Sequence, residues 1–188
     1  MRIITGKAKG LKLKTPTGQA TRPTSDRVKE SLFSVLNGMT NFFEVEKVLD
    51  IFAGTGALGL ESLSRGARQA MFIDLATELV SENVRRAKFE GVVKIFRGDF
   101  EKFLVKLSRQ SQQFDLIFSD PPYHKKLSQK SLELTAELNL LSAEGFLVVE
   151  HGADENLIAP ETFDLVRKLI YGHTTEIEIF KLAKGASQ

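Results

Sequence analysis

Val48-Leu49-Asp50-Ile51-Phe52-Ala53-Gly54-Thr55-Gly56-Ala57-Leu58-Gly59 decides the fold of this chain. A short apolar run meets a G-x-G-x-x-G turn, and Leu60 and Leu63 continue at helical spacing, with Gly66 placed to end that helix. Strand, glycine turn and helix in this order open an α/β unit. Outward from it the alternation repeats. Strands are expected over 70–74, 94–97 and 114–118 and helices over 77–90, 100–109 and 128–138. A fifth strand is expected over 145–150, then two more around 163–171 and 174–182 joined at Gly172-His173. Nearly continuous apolar strands between helices predict a mostly parallel sheet covered on both faces. The short last turn predicts an antiparallel hairpin at one edge.

With 188 residues, 42% hydrophobic and 27% charged, the chain suits one soluble domain over 1–188. Its parts read as a basic hairpin or arm over 1–20, a lid and first helix over 21–45, and a catalytic core over 46–188. No apolar run is long enough to cross a membrane, and Met1 to Gly6 lacks the apolar core of a signal peptide, so a cytoplasmic protein is expected. The absence of cysteine excludes disulfides, thiolate metal sites and cysteine nucleophiles. Three scattered histidines without H-x-x-x-H spacing lead to the expectation of no metal. Net charge is +2, but residues 1–30 carry eight basic and two acidic groups, +6, against −4 for the rest. Arg2-Ile3-Ile4 and Leu11-Lys12-Leu13-Lys14 flank Gly6-Lys7-Ala8-Lys9-Gly10, and the second arm alternates apolar and basic residues. A basic hairpin on a mildly acidic body is a candidate nucleic-acid footprint, with a solvated lysine-rich hairpin as the plainer reading. Thr24 or Ser25 can cap the helix that follows, which runs to about Asn37, and Asp26 suits its first turn.

The glycine turn alone is a weak signal. Its context strengthens it: Asp74 ends the next strand, where an acid can hold ribose hydroxyls. A nicotinamide dinucleotide and S-adenosylmethionine both fit that much. Asp50 favours the second, because a carboxylate at the end of the first strand suits a cationic methionine amino group and repels a pyrophosphate. Asp99, after the third strand, can accept from an adenine amino group. Phe52 and Phe100 can line the adenine slot. Ala53, Gly54, Gly56, Leu58 and Leu75 complete the expected cofactor set.

The strand Phe114-Asp115-Leu116-Ile117-Phe118 runs into Ser119-Asp120-Pro121-Pro122-Tyr123. Pro121 and Pro122 remove two backbone donors and stiffen the turn. They leave the Asp120 carboxylate and the Pro121 carbonyl as acceptors, with the Tyr123 ring beside them. An amino group on a flat base needs two acceptors for its two N–H groups and one aromatic face for its ring. The turn therefore points to methylation of a base amino group, with Asp120, Pro121, Pro122 and Tyr123 as the catalytic set. His124 reads as a solvated loop residue and His151 as a structural hydrogen-bonding residue.

Met1 to Gly6, the block Thr21-Arg22-Pro23-Thr24-Ser25-Asp26-Arg27-Val28-Lys29-Glu30-Ser31-Leu32-Phe33, Asp50 to Glu61 and Asp120 to Tyr123 occur in that order. Over nearly its whole length, including Val149-Glu150-His151 and Tyr171-Gly172, the chain resembles the RsmD family of bacterial 16S rRNA guanine-N2 methyltransferases. The resemblance implies a Rossmann-like, seven-stranded S-adenosylmethionine-dependent methyltransferase fold. It implies N2-methylguanine as the product, made on 16S rRNA in an assembling 30S particle; separately, a monomer is expected. Arg22 to Arg27 would then sit over the pocket as a lid, and Arg2, Lys7, Lys9, Lys12, Lys14, Arg22, Thr24 and Arg27 would contact RNA. The plainer reading of that block is a capped helix entry with surface ion pairs. Asp74 stands where the family usually has Glu, and residues 75–82 are less typical of it. The alternatives are an adenine-N6 DNA methyltransferase, disfavoured because no segment is long enough for a separate target-recognition domain, and a non-catalytic rRNA-binding assembly factor.

Overall fold

The computed structural model describes residues 1–16, 24–123 and 125–185, without the side chains of Thr24 and Ser25. The expectations for Arg22, for the Thr24 and Ser25 side chains and for His124 lie outside the described residues. The elements are α1 (Thr24–Met39), β1 (Lys47–Asp50), α2 (Ala57–Arg65), β2 (Gln69–Asp74), α3 (Glu78–Ala87), β3 (Val93–Arg97), α4 (Phe100–Arg109), β4 (Phe114–Ser119), α5 (Leu127–Glu137), β5 (Leu141–Gly152), β6 (Phe163–Tyr171) and β7 (Thr175–Leu182). The strands form a seven-stranded sheet ordered β3-β2-β1-β4-β5-β7-β6. The β1/β2, β2/β3 and β4/β5 pairs are parallel, while β5/β7 and β6/β7 are antiparallel, as the short final turn predicted. No described helix is long and apolar enough to cross a membrane.

The chain divides into two compact units, Met1–Gly98 and Asp99–Gln188. In the first, Leu49, Phe72 and Ile73 of the strands and Leu60 of α2 are fully buried, with Phe72 on the face that α2 covers and Leu49 and Ile73 on the other. Each such side chain contributes roughly 1.5–3 kcal/mol by leaving water. The apolar run 48–52 leaves the sheet earlier than its composition implies. Strand β1 stops at Asp50 because the next residues turn, with Gly54 and Gly56 at φ +52° and +77°. Gly59 serves packing: a Cβ there would lie 2.4 Å from the Phe72 ring. Gly66, at φ +133°, ends α2 where expected.

The basic N-terminus is a hairpin: Ile3 N–H donates to Leu11 O at 3.0 Å, and Leu13 N–H to Met1 O at 3.0 Å. Ile3 and Leu13 point inward, and Lys7, Lys9, Lys12 and Lys14 are exposed, as the alternation predicted. The hairpin lies along α2. Ile4 and Thr5 N–H groups donate to Glu61 at 2.7 and 3.1 Å, and Lys7 N–H donates to Ser64 O at 2.8 Å. Gly6, at φ +87°, is held so close that a Cβ would fall 1.8 Å from Ser64 O. At the other end, the Asn83 carboxamide accepts from Lys14 N–H at 2.7 Å and donates to Thr55 O at 2.9 Å.

Glu61 anchors this packing. It is fully buried and also takes the Lys29 ammonium at 3.2 Å and the Arg65 guanidinium at 2.9 Å. Burial pulls the Lys29 ammonium below its usual pKa, against the pull of Glu61. Glu61 and Glu82, acids beyond residue 30, therefore offset part of the +6, from which Asp26 is already subtracted. Lys29 pairs with Glu61, Lys14 with Glu82, and Arg2 with Asp26 at 3.9 Å. Lys7 and Lys9 flank the C-terminal end of α2, about 14 Å along that nine-residue helix from the glycine turn.

In the second unit, Phe114, Leu116, Ile117 and Phe118 of β4 are fully buried, as are Leu147 and Val149 of β5 and Ile179 of β7. Strand β5 is longer than expected because the polar stretch Ser142-Ala143-Glu144 before Gly145 stays extended. The β6/β7 hairpin turns at Gly172, φ +64°.

Candidate active site

At the carboxyl ends of β1 and β2 the first unit holds a set of acids around the glycine turn. Asp74 is half-buried; its Oδ2 accepts from Gly54 N–H at 2.7 Å and its Oδ1 from Ala76 N–H at 2.9 Å. Each oxygen keeps a second lone pair for another donor. Asp50 is only 2% exposed, and its Oδ2 accepts from Gly59 N–H at 3.1 Å. Burial raises its pKa from 3.8 to about 7; the Gly59 hydrogen bond opposes the rise and the nearby Asp74 charge adds to it.

The surface beside the turn is open. Gly54 is exposed, and a Cβ on it would meet nothing within 4 Å, so protein packing does not require its openness. Leu75, directly after Asp74, is 72% exposed, an apolar face at a strand end. Phe52 and Leu58 are half-buried and Ala53 is buried.

In the second unit, Asp99 caps α4, its Oδ1 accepting from Lys102 N–H at 3.1 Å. It is exposed, whereas Phe100 beside it is only 7% exposed and belongs to the core. Strand β4 delivers the Asp120–Tyr123 turn. Ser119, the last strand residue, is buried and its hydroxyl lies 2.6 Å from that of Ser131 on α5, which ties the strand end to the helix. Asp120 follows as an exposed residue, Pro121 is buried and Pro122 exposed. Tyr123 is half-buried, and its hydroxyl donates to Glu150 Oε1 at 2.6 Å and lies 3.1 Å from Thr175 Oγ1. Burial, reinforced by the Glu150 charge, pushes the phenol pKa well above its usual value, so it stays protonated.

Beyond the turn, His151 is fully buried, with Nδ1 2.9 Å from Gly152 O. Its Nε2 faces Glu176 and Glu178, 3.9 Å from each. The Lys168 ammonium bridges the same two carboxylates at 2.6 and 3.1 Å. The cluster thus carries its own cation.

Sequence reasoning singled out the acids and the turn but missed Glu61, Ser64, Asn83, Ser131 and Thr175. A charged residue between Leu60 and Leu63 on an apolar helix face was the available signal for Glu61. Thr175 had none, because its role depends on the β5/β7 register that sets it opposite Gly152.

A glycine turn and acids at parallel strand ends, on a seven-stranded sheet closed by an antiparallel pair, define the methyltransferase class of α/β folds. Comparison with known proteins narrows this class. The family model described as Conserved hypothetical protein 95 matches residues 1–181, and the chain belongs to that family, the RsmD family. It is 38% identical over 187 residues to YlbH of Bacillus subtilis, covering 96% of this chain and 98% of that one. It is 33% identical over 175 residues to the Haemophilus influenzae protein named Ribosomal RNA small subunit methyltransferase D, covering 92% and 89%. The solved structure of yhhF from Escherichia coli superposes with a TM-score of 0.79 at 30% identity, covering 97% and 98%.

Proposed function

We propose that this chain methylates the exocyclic N2 amino group of a guanine in 16S rRNA, using S-adenosylmethionine, on an assembling 30S particle and as a cytoplasmic monomer. The observation that carries the reading is the Asp120–Tyr123 turn, where an exposed acid and an anchored aromatic ring end a strand buried at every residue but Asp115.

The residues around the glycine turn fit the cofactor. Asp74 has lone pairs left for ribose hydroxyls, Asp50 is a buried acid awaiting an ammonium, and Gly54 leaves room above the turn. Leu75 and Phe52 offer apolar surface for adenine, Asp99 an acceptor for its amino group. Ala53, Gly56, Leu58 and Phe100 shape the surroundings. When bound, S-adenosylmethionine supplies an electrophilic methyl group.

The chain's own residues do the rest. The guanine N2 lone pair is delocalised into the ring and nucleophilically weak. Asp120 accepts one of its N–H groups and the Pro121 carbonyl the other, which localises the lone pair toward the incoming methyl; the nitrogen sheds one proton once methylated, and exposed Asp120, already accepting that N–H, passes it to solvent. Pro122 holds the turn rigid. Tyr123 stacks on the base, worth about 1–3 kcal/mol, and the base must leave its own stack to reach it. Catalysis then rests on orientation and preorganised dipoles. Exposed Lys7, Lys9, Lys12 and Arg27 are free to meet phosphates, while Arg2 and Lys14 reach RNA only by sharing with Asp26 and Glu82.

The test is methyl transfer to 16S rRNA, 30S particles and DNA, with products identified by nucleoside mass spectrometry. N2-methylguanosine from rRNA or particles supports the reading. N6-methyladenine from DNA, or no product with any substrate, refutes it.

A further inference from the structure

We infer that Glu150 and Thr175 are positioning residues for base methylation, acting through the Tyr123 hydroxyl to fix the direction and position of its ring. This rests on the function proposed above and adds the device that makes the turn an oriented site.

The stacking role of Tyr123 needs only the ring, so a phenylalanine would serve if the backbone alone set its orientation. Yet the hydroxyl is the most tightly held part of the side chain. Glu150 Oε1 accepts from it at 2.6 Å, a charge-assisted distance. Thr175 Oγ1 adds a contact at 3.1 Å. These partners stand on different strands: Glu150 pairs with Ile177 and Thr175 with Gly152 across β5/β7. The hydroxyl is thereby held from two directions by the antiparallel pair. The ring passes beside Gly152, where a Cβ would lie 3.7 Å from Tyr123 Cδ2. Hydrogen bonds at the tip restrict rotation about Cα–Cβ and so fix where the ring points, and the packing of its edge beside Gly152 limits its turn about Cβ–Cγ. A stacking platform restrained in this way does not have to be ordered when the base arrives.

This packing is not needed for the strand to end or for the turn to form. The prolines and the Ser119–Ser131 hydrogen bond already fix them. Losing the anchor should therefore lower turnover and leave the fold and the cofactor loop in place.

The experiment measures kcat and KM for methyl transfer to small-subunit rRNA by the full chain. It adds cofactor affinity by calorimetry and thermal midpoints as controls. The variants are Glu150→Ala, Glu150→Gln, Tyr123→Phe, Thr175→Val and the double Glu150→Ala/Tyr123→Phe. Glu150→Ala and Tyr123→Phe should each lower kcat on the order of tenfold, the scale of one lost charge-assisted hydrogen bond. Cofactor affinity should be unchanged. Glu150→Gln, which keeps an acceptor oxygen, should recover most of the loss, and Thr175→Val should lose less than Glu150→Ala. The double variant should be no slower than the slower single one, because both remove the same restraint. Parental kcat in Tyr123→Phe, or losses that multiply in the double variant, would overturn the inference. Should Glu150→Ala fail to fold, Tyr123→Phe and Glu150→Gln still decide it. If the parent makes no methylated rRNA, or Asp120→Ala is as active as the parent, the proposed function itself fails, a separate outcome.

Discussion

Replacing Asp50 by asparagine should stabilise this protein while weakening its cofactor site. The carboxylate is 2% exposed, has Gly59 N–H as a donor at 3.1 Å, and has its pKa raised from 3.8 to about 7 mainly by burial. A carboxyl whose folded pKa exceeds its unfolded value binds protons more tightly when folded, so stability falls as pH rises from about 4 to about 7 and stays low above that. At 1.36 kcal/mol per unit the penalty at pH 8 is at most about 4 kcal/mol. Asparagine never carries the charge but must bury an extra N–H group, at a cost of about 1–3 kcal/mol that does not depend on pH. The constant cost cancels between two pH values, and the variant's stability relative to parent should be about 1.5–3 kcal/mol better at pH 8 than at pH 5. Urea unfolding of both proteins at both pH values measures this. Calorimetry should show S-adenosylmethionine binding weakened by about tenfold or more, because the ammonium loses its counter-charge. An advantage equal at the two pH values, or larger at pH 5, would show that Asp50 is not a desolvated acid and would remove the ground for assigning it to the ammonium.

Other expectations concern packing and the basic hairpin. Gly59→Ala, which puts a Cβ 2.4 Å from Phe72, should cost about 1–3 kcal/mol in chemical unfolding. Glu61→Ala leaves the buried Lys29 ammonium without its counter-charge and two backbone donors without their acceptor, and should cost about 3–5 kcal/mol, read as a lowered thermal midpoint. Gly6→Ala meets Ser64 O at 1.8 Å, so the hairpin should lift from α2 and be cut sooner by trypsin at Lys7 and Lys9, while parental protection would refute that docking. Neutralising Lys7, Lys9 and Lys12 together should lower the slope of log affinity for rRNA against log salt by about 2, with cofactor affinity unchanged. Equal slopes would mean that RNA docks elsewhere.

Most of the fold was legible because its signals are local. The apolar runs at 114–118 and 163–171 became β4 and β6 with little change, and helix 100–109 matched α4. Periodicity fails where tertiary partners set the ends. Strand β1 ends at Asp50, although Ile51 and Phe52 continue the apolar run. Strand β5 begins at Leu141, where polar residues gave no strand pattern. The acids and the Asp120–Tyr123 turn were visible because chemistry restricts those residue types. The anchor of Tyr123 was not, because Glu150 and Thr175 meet it only after β5 and β7 take their register. The same holds for the basic hairpin. Its charges were countable in the sequence, but the pairing of Lys14 with Glu82 depends on how the hairpin meets α3, and that of Lys29 with Glu61 on how α1 meets α2.

The central claim, guanine-N2 methylation organised by Asp120, is tested most directly by digesting small-subunit rRNA after reaction with parent and with Asp120→Ala and quantifying methylated nucleosides by mass spectrometry. The account predicts N2-methylguanosine from the parent, and a loss of at least about a hundredfold in Asp120→Ala with fold and cofactor affinity retained. A different methylated nucleoside from the parent, or undiminished N2-methylguanosine from Asp120→Ala, would contradict it.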